Sequence, residues 1–449
     1  MHKNRFSRIG FILAAAGSAV GLGNIWKFPY ITGDNGGGVF VLVYIATVFL
    51  IGMSIFIGEV LLGSSTNKNA VTTFETLAPK EKQYWKYTGF TFLTGLLILT
   101  FYCVVIAWIF NYIVMSVTAL PTSFKESEEI FMSFLKEDIY TQFIYYTLTF
   151  IMVAYTISKG VKKGIEKLNN ILMPSLIGIL VILLIYSIQL DGFMKAVDFM
   201  FMPNFDKFHS SSIIVAVGHA FFTLSIGMVT ILTYAASLDK NTNIVKASAI
   251  VVIMDTVIAI MAGLVIFSIT FTAGQEPSKG PGLAFIILPA IFHEMGTIGI
   301  FLSLLFFIAL AFAAITSAVS IIEPAVMYLV ERRNVSRQKA TYGVALFAYI
   351  LGIFVLLSNT SAFSESLTFG SKNLFDWFDF ISSAILLPFG GIMIAIFIGY
   401  VLDKEILRKA IVPYTGEVFY RIWLFSIKYL APFAVFVLML KESGIITLN

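Results

Sequence analysis

Long apolar stretches recur along the whole chain and are separated by short polar segments. They fall near residues 8–29, 38–63, 87–118, 140–158, 169–190, 210–237, 243–273, 297–329, 338–358, 377–402 and 418–440. A helix needs about 20 apolar residues to cross the hydrocarbon of a bilayer. Only 12% of the residues are charged, which is too few for the surface of a soluble protein. The sequence therefore predicts an all-α membrane protein with eleven spans.

The distribution of Lys and Arg predicts how these spans are oriented. If the N-terminus lies inside, most Lys and Arg of the connecting segments fall on the inner side. The positive-inside rule then gives a cytoplasmic N-terminus, and an odd number of spans puts the C-terminus outside. We expect a multi-pass protein of the cell membrane, in contact with the lipid bilayer.

Residues 17–29 interrupt the first apolar stretch. Gly17, Gly21 and Gly23 weaken a helix here. Pro29 then removes a backbone donor. A helix broken in hydrocarbon is tolerated only where the freed backbone lines a cavity or binds something polar. Free carbonyls bind cations and a half-helix N-terminus binds anions, whereas the alternative interpretation is a stripe of small residues for helix packing.

The sixth apolar stretch carries a second interruption, over residues 218–227, with hydroxyls at Thr223 and Ser225. Stretches one and six begin two halves of five helices each, and an odd number of spans per half inverts the second half. Paired broken segments in corresponding positions point to a transporter site. We expect a first inverted repeat over residues 1–190 and a second over 210–402. Residues 403–449 would form a cytoplasmic loop, an eleventh helix and a short outer C-terminus. The apolar segment near 281–294 is too short to span and predicts an outer re-entrant hairpin.

Three carboxylates lie within apolar stretches, where ionisable groups are costly and usually functional. For Glu59 we favour capping of loose backbone amides. For Asp255, near the middle of its span, we favour coordination of a cation, and both interpretations stay open for Glu323. The adjacent hydroxyls of Thr316 and Ser317 say little alone, since such hydroxyls usually bond to their own helix.

These segments together resemble the neurotransmitter:sodium symporter family. The resemblance covers all eleven spans and is carried by residues 10–29, 221–225 and 313–317, by the outer hairpin, and by the spacing from Gly164 to Pro174. It implies a bacterial amino-acid transporter, not an enzyme, with helices 1 and 6 broken at the membrane midplane. Spans 1, 2, 6 and 7 would rock against 3, 4, 8 and 9, and Gly164 and Pro174 would let span 5 unwind.

The resemblance implies two sodium sites, a substrate site and two gates. The first sodium site would use the carbonyl of Ala19 with Asn24, Thr223, Asp255 and the substrate carboxylate. The second would use the carbonyls of Gly17, Val20 and Ala313 and the hydroxyls of Thr316 and Ser317. The implied substrate contacts are Ala19, Leu22, Gly23, Ile98, Tyr102, Phe222, Thr223, Ser225, Met228, Ser317 and Ile321. Lys27 and Asp379 would form an outer gate, and Glu331 would pair with Arg5, or with Lys3 or Arg8, in an inner gate.

Three departures within the family pattern bear on the substrate and on chloride. Asp255 and Ala259 stand where chloride-dependent members carry Asn and a chloride-binding Ser, so we expect chloride independence. Gly21 stands where monoamine transporters carry Asp, which favours a ligand with its own carboxylate. The implied side-chain pocket is apolar and uncharged, so we expect a hydrophobic or aromatic L-amino acid such as leucine, tyrosine or tryptophan.

Other functions fit the sequence less well. A proton-coupled amino-acid carrier on the same fold is the alternative, although it would have little use for Thr316 and Ser317. The sequence contains no HExxH or GxSxG motif, which argues against an intramembrane hydrolase. Its few polar residues make no continuous channel lining. We expect no nucleic-acid partner, and the oligomeric state stays open.

Overall fold

The computed structural model describes residues 5–205, 208–239, 242–276, 280 and 282–446, which form a helical bundle. The spans are span 1, Arg8–Ala19 with Gly23–Asp34; span 2, Gly38–Thr66; span 3, Lys80–Thr118; span 4, Ile139–Ser158; span 5, Val161–Ser187; span 6, Ser210–Thr223 with Thr230–Ala235; span 7, Ile244–Thr272; span 8, Thr297–Arg332; span 9, Arg337–Leu357; span 10, Leu374–Val401; and span 11, Lys404–Glu442. Every predicted apolar stretch is helical. Lys3 and Pro281, which carried parts of the gate and hairpin predictions, lie outside the described residues.

Shorter elements connect these spans. They are the helices Ala70–Leu77, Phe124–Lys136, Phe193–Phe201 and Leu283–Glu294, and the strands Thr368–Phe369 and Lys372–Asn373. The two strands form an antiparallel hairpin in which Thr368 faces Asn373. Among the described residues, nine spans are long and apolar enough to cross a membrane, counting bent span 1 once. The other two are spans 4 and 6. Span 4 is less apolar because it is rich in Tyr and Thr, and span 6 consists of two short helices.

Span 11 begins earlier than the sequence predicted. Residues 403–417 were expected in a cytoplasmic loop, but the helix starts at Lys404 and continues with a kink at Gly416. Gly416 has φ 78° and ψ 173°, a conformation open to glycine and costly for other residues. The first part of this helix was not predicted because its charged residues interrupt the apolar pattern.

Both predicted interruptions are present. The two halves of span 1 meet at an angle of 47°, with the break at residues 20–22. In span 6 the break covers residues 224–229, where Ser225, Gly227 and Val229 have φ values of 52°, 90° and 54°. Three left-handed residues so close together end the helix and turn the backbone toward span 1.

The packing puts the broken spans at the centre and apolar surface at the periphery. Span 1 packs against spans 7 and 8, and span 8 runs along span 3. Large apolar side chains such as Leu346 and Phe347 on span 9, and Ile422 and Phe425 on span 11, are exposed. An apolar periphery of this kind suits lipid as its solvent.

Two of the short helices cover one end of the bundle, and one of them, Leu283–Glu294, lies where the sequence predicted an outer hairpin. Phe131 of Phe124–Lys136 stacks on Phe285 of Leu283–Glu294, with ring centroids 5.6 Å apart and planes 3° apart. The Tyr112 hydroxyl of span 3 donates to the Phe285 carbonyl at 2.6 Å. This aromatic cluster forms a wall of the cavity that leads to the centre of the bundle.

Candidate functional site

Three side chains that the resemblance assigned to the first sodium site meet between spans 1, 6 and 7. Asn24 Nδ2 donates to Asp255 Oδ1 at 2.8 Å and to the Asp255 carbonyl at 3.0 Å. The Thr223 hydroxyl lies 3.0 Å from Asp255 Oδ1 and 3.1 Å from Asn24 Oδ1. All three residues are buried, at 0–1% exposure. Ala19, the fourth predicted member, lies beside Thr223 on the wall of the central cavity.

The chemistry of this first cluster suits a small hard cation. The atoms that could coordinate a cation are the oxygens of one carboxylate, one side-chain amide and one hydroxyl. Tyr44 adds a hydroxyl 3.5 Å from Asp255 Oδ2. In the part of the chain that the structure describes, no three His, Cys, Asp or Glu residues gather as a metal site. Nitrogen and sulfur ligands, which transition metals prefer, are therefore missing from this group of residues.

The second group of predicted ligands lies between the break in span 1 and span 8. The Ser317 hydroxyl lies 3.1 Å from the Gly17 carbonyl, 3.2 Å from that of Ser18 and 3.3 Å from that of Val20. One hydroxyl proton cannot satisfy three carbonyls, so these oxygens keep free lone pairs. The Thr316 hydroxyl bonds within its own helix, to the Ala313 carbonyl at 2.9 Å.

A small central cavity separates the two oxygen clusters. Its lining is Ser18, Ala19, Gly21, Gly23, Ile98, Tyr102, Phe222, Thr223, Ser225, Met228, Ser317, Ile321 and Leu387. Ten of the eleven predicted substrate contacts belong to this set, and Ser18, Gly21 and Leu387 were not predicted as contacts. The cavity has a volume of about 20 Å³, which is room for about one water molecule. The walls must therefore separate before the cavity admits an amino acid.

The remaining predicted contact, Leu22, lies at the outer edge of this cavity. Its backbone amide donates to the Tyr102 hydroxyl at 3.2 Å. A Cβ atom on Gly21 would lie only 2.7 Å from the same hydroxyl and 2.6 Å from Ser317 Oγ. A larger residue at position 21 would therefore displace the Tyr102 or Ser317 hydroxyl from its present place.

An outer cavity of about 260 Å³ lies beyond Phe222 and is lined by both predicted outer-gate residues, Lys27 and Asp379. The Lys27 ammonium lies 4.6 Å from the centre of the Phe222 ring. Asp379 instead accepts a hydrogen bond from the Ser383 hydroxyl at 2.9 Å. Among the described residues no ion pair joins Lys27 to Asp379, and Phe222 and Tyr102 line both the central cavity and the outer one.

The inner-gate prediction needs a correction, because Glu331 does not meet Arg5. Glu331 Oε2 accepts from the Asn69 backbone amide at 2.7 Å and from Asn69 Nδ2 at 3.0 Å. Asn69 caps the helix Ala70–Leu77, whose positive N-terminal end attracts a carboxylate. Within the described ranges neither Arg5 nor Arg8 has an ion pair. Two arginines close to Glu331 in the chain do form ion pairs, Arg332 with Glu75 at 2.8 Å and Arg337 with Glu323 at 2.6 Å.

Comparison with known proteins decides the family. A family model described as the Sodium:neurotransmitter symporter family matches residues 3–142 and 137–447. The chain belongs to this family. It is 34% identical to YhdH, named as a sodium-dependent transporter of Bacillus subtilis (strain 168), over 98% of both chains. A sodium-dependent transporter of Haemophilus influenzae is 32% identical over 97% of each.

A solved structure supports the same assignment. The crystal structure of MhsT in complex with L-phenylalanine matches with a TM-score of 0.87 and 38% identity, covering 98% of this chain and 99% of that one. This sodium-dependent symporter therefore has the inverted-repeat fold of its family, and the family is one of membrane transporters rather than enzymes. The repeat boundaries at residues 1–190, 210–402 and 403–449 stay predictions.

Glu59 of this symporter holds the break in span 6, as the sequence predicted. Its Oε1 accepts from the Gly227 amide at 2.8 Å and its Oε2 from the Leu232 amide at 3.2 Å. Both amides belong to backbone that the break leaves without helical partners. Glu323, which the sequence left open, is instead paired with Arg337.

Sequence reasoning missed Ser18, Ser320, Tyr44 and Asn169, and it also missed the contact that Ser225 makes with span 1. The Ser225 hydroxyl donates to the Ser18 carbonyl at 2.7 Å and so ties the two broken spans together. The Ser18 hydroxyl bonds to Ser320 at 2.8 Å. Tyr44 and Asn169 also face the two oxygen clusters, and the sequence analysis did not single them out. Single hydroxyls and amides inside apolar helices carry no signal until the fold brings them together.

Proposed function

We propose that this symporter carries a hydrophobic or aromatic L-amino acid into the cell together with two sodium ions. One observation carries the proposal: an uncharged, apolar cavity lies between two clusters of buried oxygen atoms. Ile98, Phe222, Met228 and Ile321 line it, and no charged side chain does. A substrate with a charged side chain would need a buried countercharge. The MhsT complex with L-phenylalanine supports the same substrate class.

The polar end of the cavity fits the backbone of an amino acid. The Leu22 amide and the Tyr102 hydroxyl are donors that suit a carboxylate, and the Leu22 amide belongs to the turn that begins the second half of span 1. Asn24 follows Leu22 on span 1, and Thr223 of span 6 lines the same cavity as Tyr102. A carboxylate bound there would complete the first sodium site, so ion and substrate would each raise the affinity for the other.

The second sodium would act as a latch between span 1 and span 8. The carbonyls of Gly17 and Val20 belong to span 1, whereas Thr316 and Ser317 belong to span 8. Losing the ion would release the first half of span 1 from span 8 and open the inner side. Entry of each sodium ion down the membrane potential supplies about 2.3 kcal/mol per 100 mV.

We also propose that transport is independent of chloride. The buried carboxylate of Asp255 supplies a fixed negative charge at the first site, and Ala259, one turn along span 7, offers no hydroxyl to chloride. Replacing chloride by gluconate at constant sodium should leave uptake unchanged. The double variant Asp255→Asn with Ala259→Ser should acquire a chloride requirement. A fall in wild-type uptake on removal of chloride would contradict this part of the proposal.

Uptake into proteoliposomes tests the proposed function. Labelled phenylalanine, leucine, tyrosine and tryptophan are offered under an inward sodium gradient, with choline replacing sodium in the control. We expect sodium-dependent accumulation of at least one of them, and competition by the others but not by lysine or glutamate. Uptake that is equal in sodium and choline would reject sodium coupling and favour the proton-coupled alternative.

The proposal includes an orientation with a cytoplasmic N-terminus and an outer C-terminus in the cell membrane. The cavity beneath the helices Phe124–Lys136 and Leu283–Glu294 would then face outward. Cysteine labelling checks this with a membrane-impermeant reagent on intact cells. Cys103 is buried, so a single cysteine introduced at exposed Lys125 should react and one at exposed Lys404 should not.

A further inference from the structure

Span 5 presents one polar side chain to the second cluster, and it is not among the predicted ligands. Asn169 is fully buried, and its side-chain oxygen accepts no hydrogen bond from any described residue. Its amide group is held in one orientation, since Nδ2 donates to the Ile165 carbonyl at 2.9 Å. Turning the amide round would place two oxygens against each other. The unpaired atom is therefore the oxygen, a group that is costly to bury without a partner.

This oxygen points at the last turn of the helix Arg8–Ala19, just before the break of span 1. A Cβ atom built on Gly17 would lie 2.0 Å from Asn169 Oδ1 and 3.1 Å from Thr316 Cβ. Glycine at position 17 thus leaves the oxygen free to contact the backbone there. Gly17 is the residue at which spans 1, 5 and 8 meet, because its carbonyl also lies 3.1 Å from the Ser317 hydroxyl.

We propose that the side-chain oxygen of Asn169 is a sodium ligand that span 5 supplies to the second site. This inference rests on the proposed function, because it assumes that a sodium ion binds beside Gly17 and Thr316. A neutral amide oxygen matches the carbonyls and hydroxyls already assembled there and gives the buried oxygen the partner that it lacks. Sodium would then hold three spans together instead of two.

A ligand on span 5 would link the ion to a part of that span where the regular α-helix is interrupted. Span 5 starts with a π-helical turn at Val161–Glu166 after Gly160, which has φ 87°, and carries Pro174 inside its helix. Asn169 lies between the two weak points. Departure of the ion would therefore loosen span 5 as well as span 1, which opens the inner side from two directions.

Sodium titration of the purified protein tests the proposal without transport. Tryptophan fluorescence or the midpoint of thermal unfolding is followed against sodium, with choline keeping the ionic strength constant. We expect Asn169→Ala and the volume-preserving Asn169→Leu to need about five- to tenfold more sodium for the half-maximal response, a shift of the size that one lost neutral ligand gives. Asn169→Asp should need no more sodium than the wild type.

Two control variants separate ligation from packing. Gln142 on span 4 is also fully buried, with an unpaired side-chain oxygen and an amide group bonded to the Phe134 carbonyl at 2.7 Å, but it is remote from the break. Gln142→Ala should leave the sodium response unchanged. Asn170→Ala, at the exposed neighbouring position, should do the same.

Double variants identify which ion is affected. The effect of Asn169→Ala should be less than additive with Thr316→Ala at the second site, and additive with Thr223→Val at the first. An unchanged sodium response in Asn169→Leu, or full additivity with Thr316→Ala, would overturn the inference. If Asn169→Ala fails to fold, the volume-preserving Asn169→Leu carries the same test. A wild-type protein indifferent to sodium would instead reject the proposed function itself.

Discussion

The two broken spans meet the same physical difficulty in different ways. In span 6 the freed amides of Gly227 and Leu232 are bonded to one carboxylate, Glu59, so the protein satisfies this break by itself. In span 1 the freed carbonyls of Gly17 and Val20 share a single hydroxyl proton at 3.1–3.3 Å. The difference teaches that one break is part of the scaffold. The other is left with oxygen atoms available to a cation.

Among the substitutions that compare the two breaks, we expect the largest change in sodium dependence at Asp255, which contacts residues next to both breaks. Its carboxylate accepts hydrogen bonds from Asn24, Thr223 and Tyr44, and it would supply the negative charge beside the sodium ion. Removing one partner of a buried charge pair costs about 3 kcal/mol or more, or about 100-fold in affinity. We therefore expect Asp255→Asn to raise the sodium concentration for half-maximal uptake about 100-fold.

A neighbouring residue provides the control for this variant. Thr256 is also buried on span 7, but its hydroxyl bonds only to the Val252 carbonyl of its own helix at 2.9 Å. Thr256→Val should keep the wild-type sodium dependence. An Asp255→Asn protein with normal sodium dependence would show that the first cluster is a hydrogen-bonded core and not an ion site.

Glu59→Ala tests the break that the protein satisfies by itself. It leaves two buried amides without acceptors, at about 1–3 kcal/mol each. We expect a clear fall in the midpoint of thermal unfolding in detergent, by the same amount in sodium and in choline. The midpoint should fall less for Glu59→Gln, because the glutamine side-chain oxygen can still accept a hydrogen bond from one of the two amides. A loss of stability seen only in sodium would contradict the distinction between the two breaks.

Ser317→Ala tests the other break and has the smallest expected effect. It removes one hydroxyl from the carbonyls of span 1, worth about 1 kcal/mol. We expect about five- to tenfold weaker sodium binding, with little change in stability when sodium is absent. Ser320→Ala is the matched control, since the Ser320 hydroxyl lies one turn away and donates to the Ser317 carbonyl at 2.7 Å. Equal effects of both variants would remove the special role of Ser317.

Local sequence was enough to predict the two breaks and the residues around them. Glycines within an apolar stretch weaken the helix locally, and a carboxylate such as Asp255 in mid-span is costly to bury. Both effects can be recognised from a few neighbouring residues. Polar partners must lie nearby to offset them, which restricts how the chain can fold there. The Glu59 cap was predictable for the same reason, because a carboxylate in hydrocarbon needs donors.

The remaining features depend on which distant residues the fold brings together. Glu331 was assigned to Arg5, but the cap of a short helix at Asn69 attracts it more directly. The orientation of Asn169 toward Gly17 joins residues about 150 positions apart, and nothing in either segment announces it. The helix before Gly416 was missed because charged residues interrupt its apolar pattern.

Hydrogen exchange measured with and without sodium tests the central difference between the breaks most directly. Peptides covering residues 14–24 and 226–232 are compared by mass spectrometry, with choline replacing sodium at constant ionic strength. We predict that sodium slows exchange strongly in the first peptide and changes little in the second, whose amides Glu59 already holds. Equal protection of both peptides, or no protection of residues 14–24, would contradict the account.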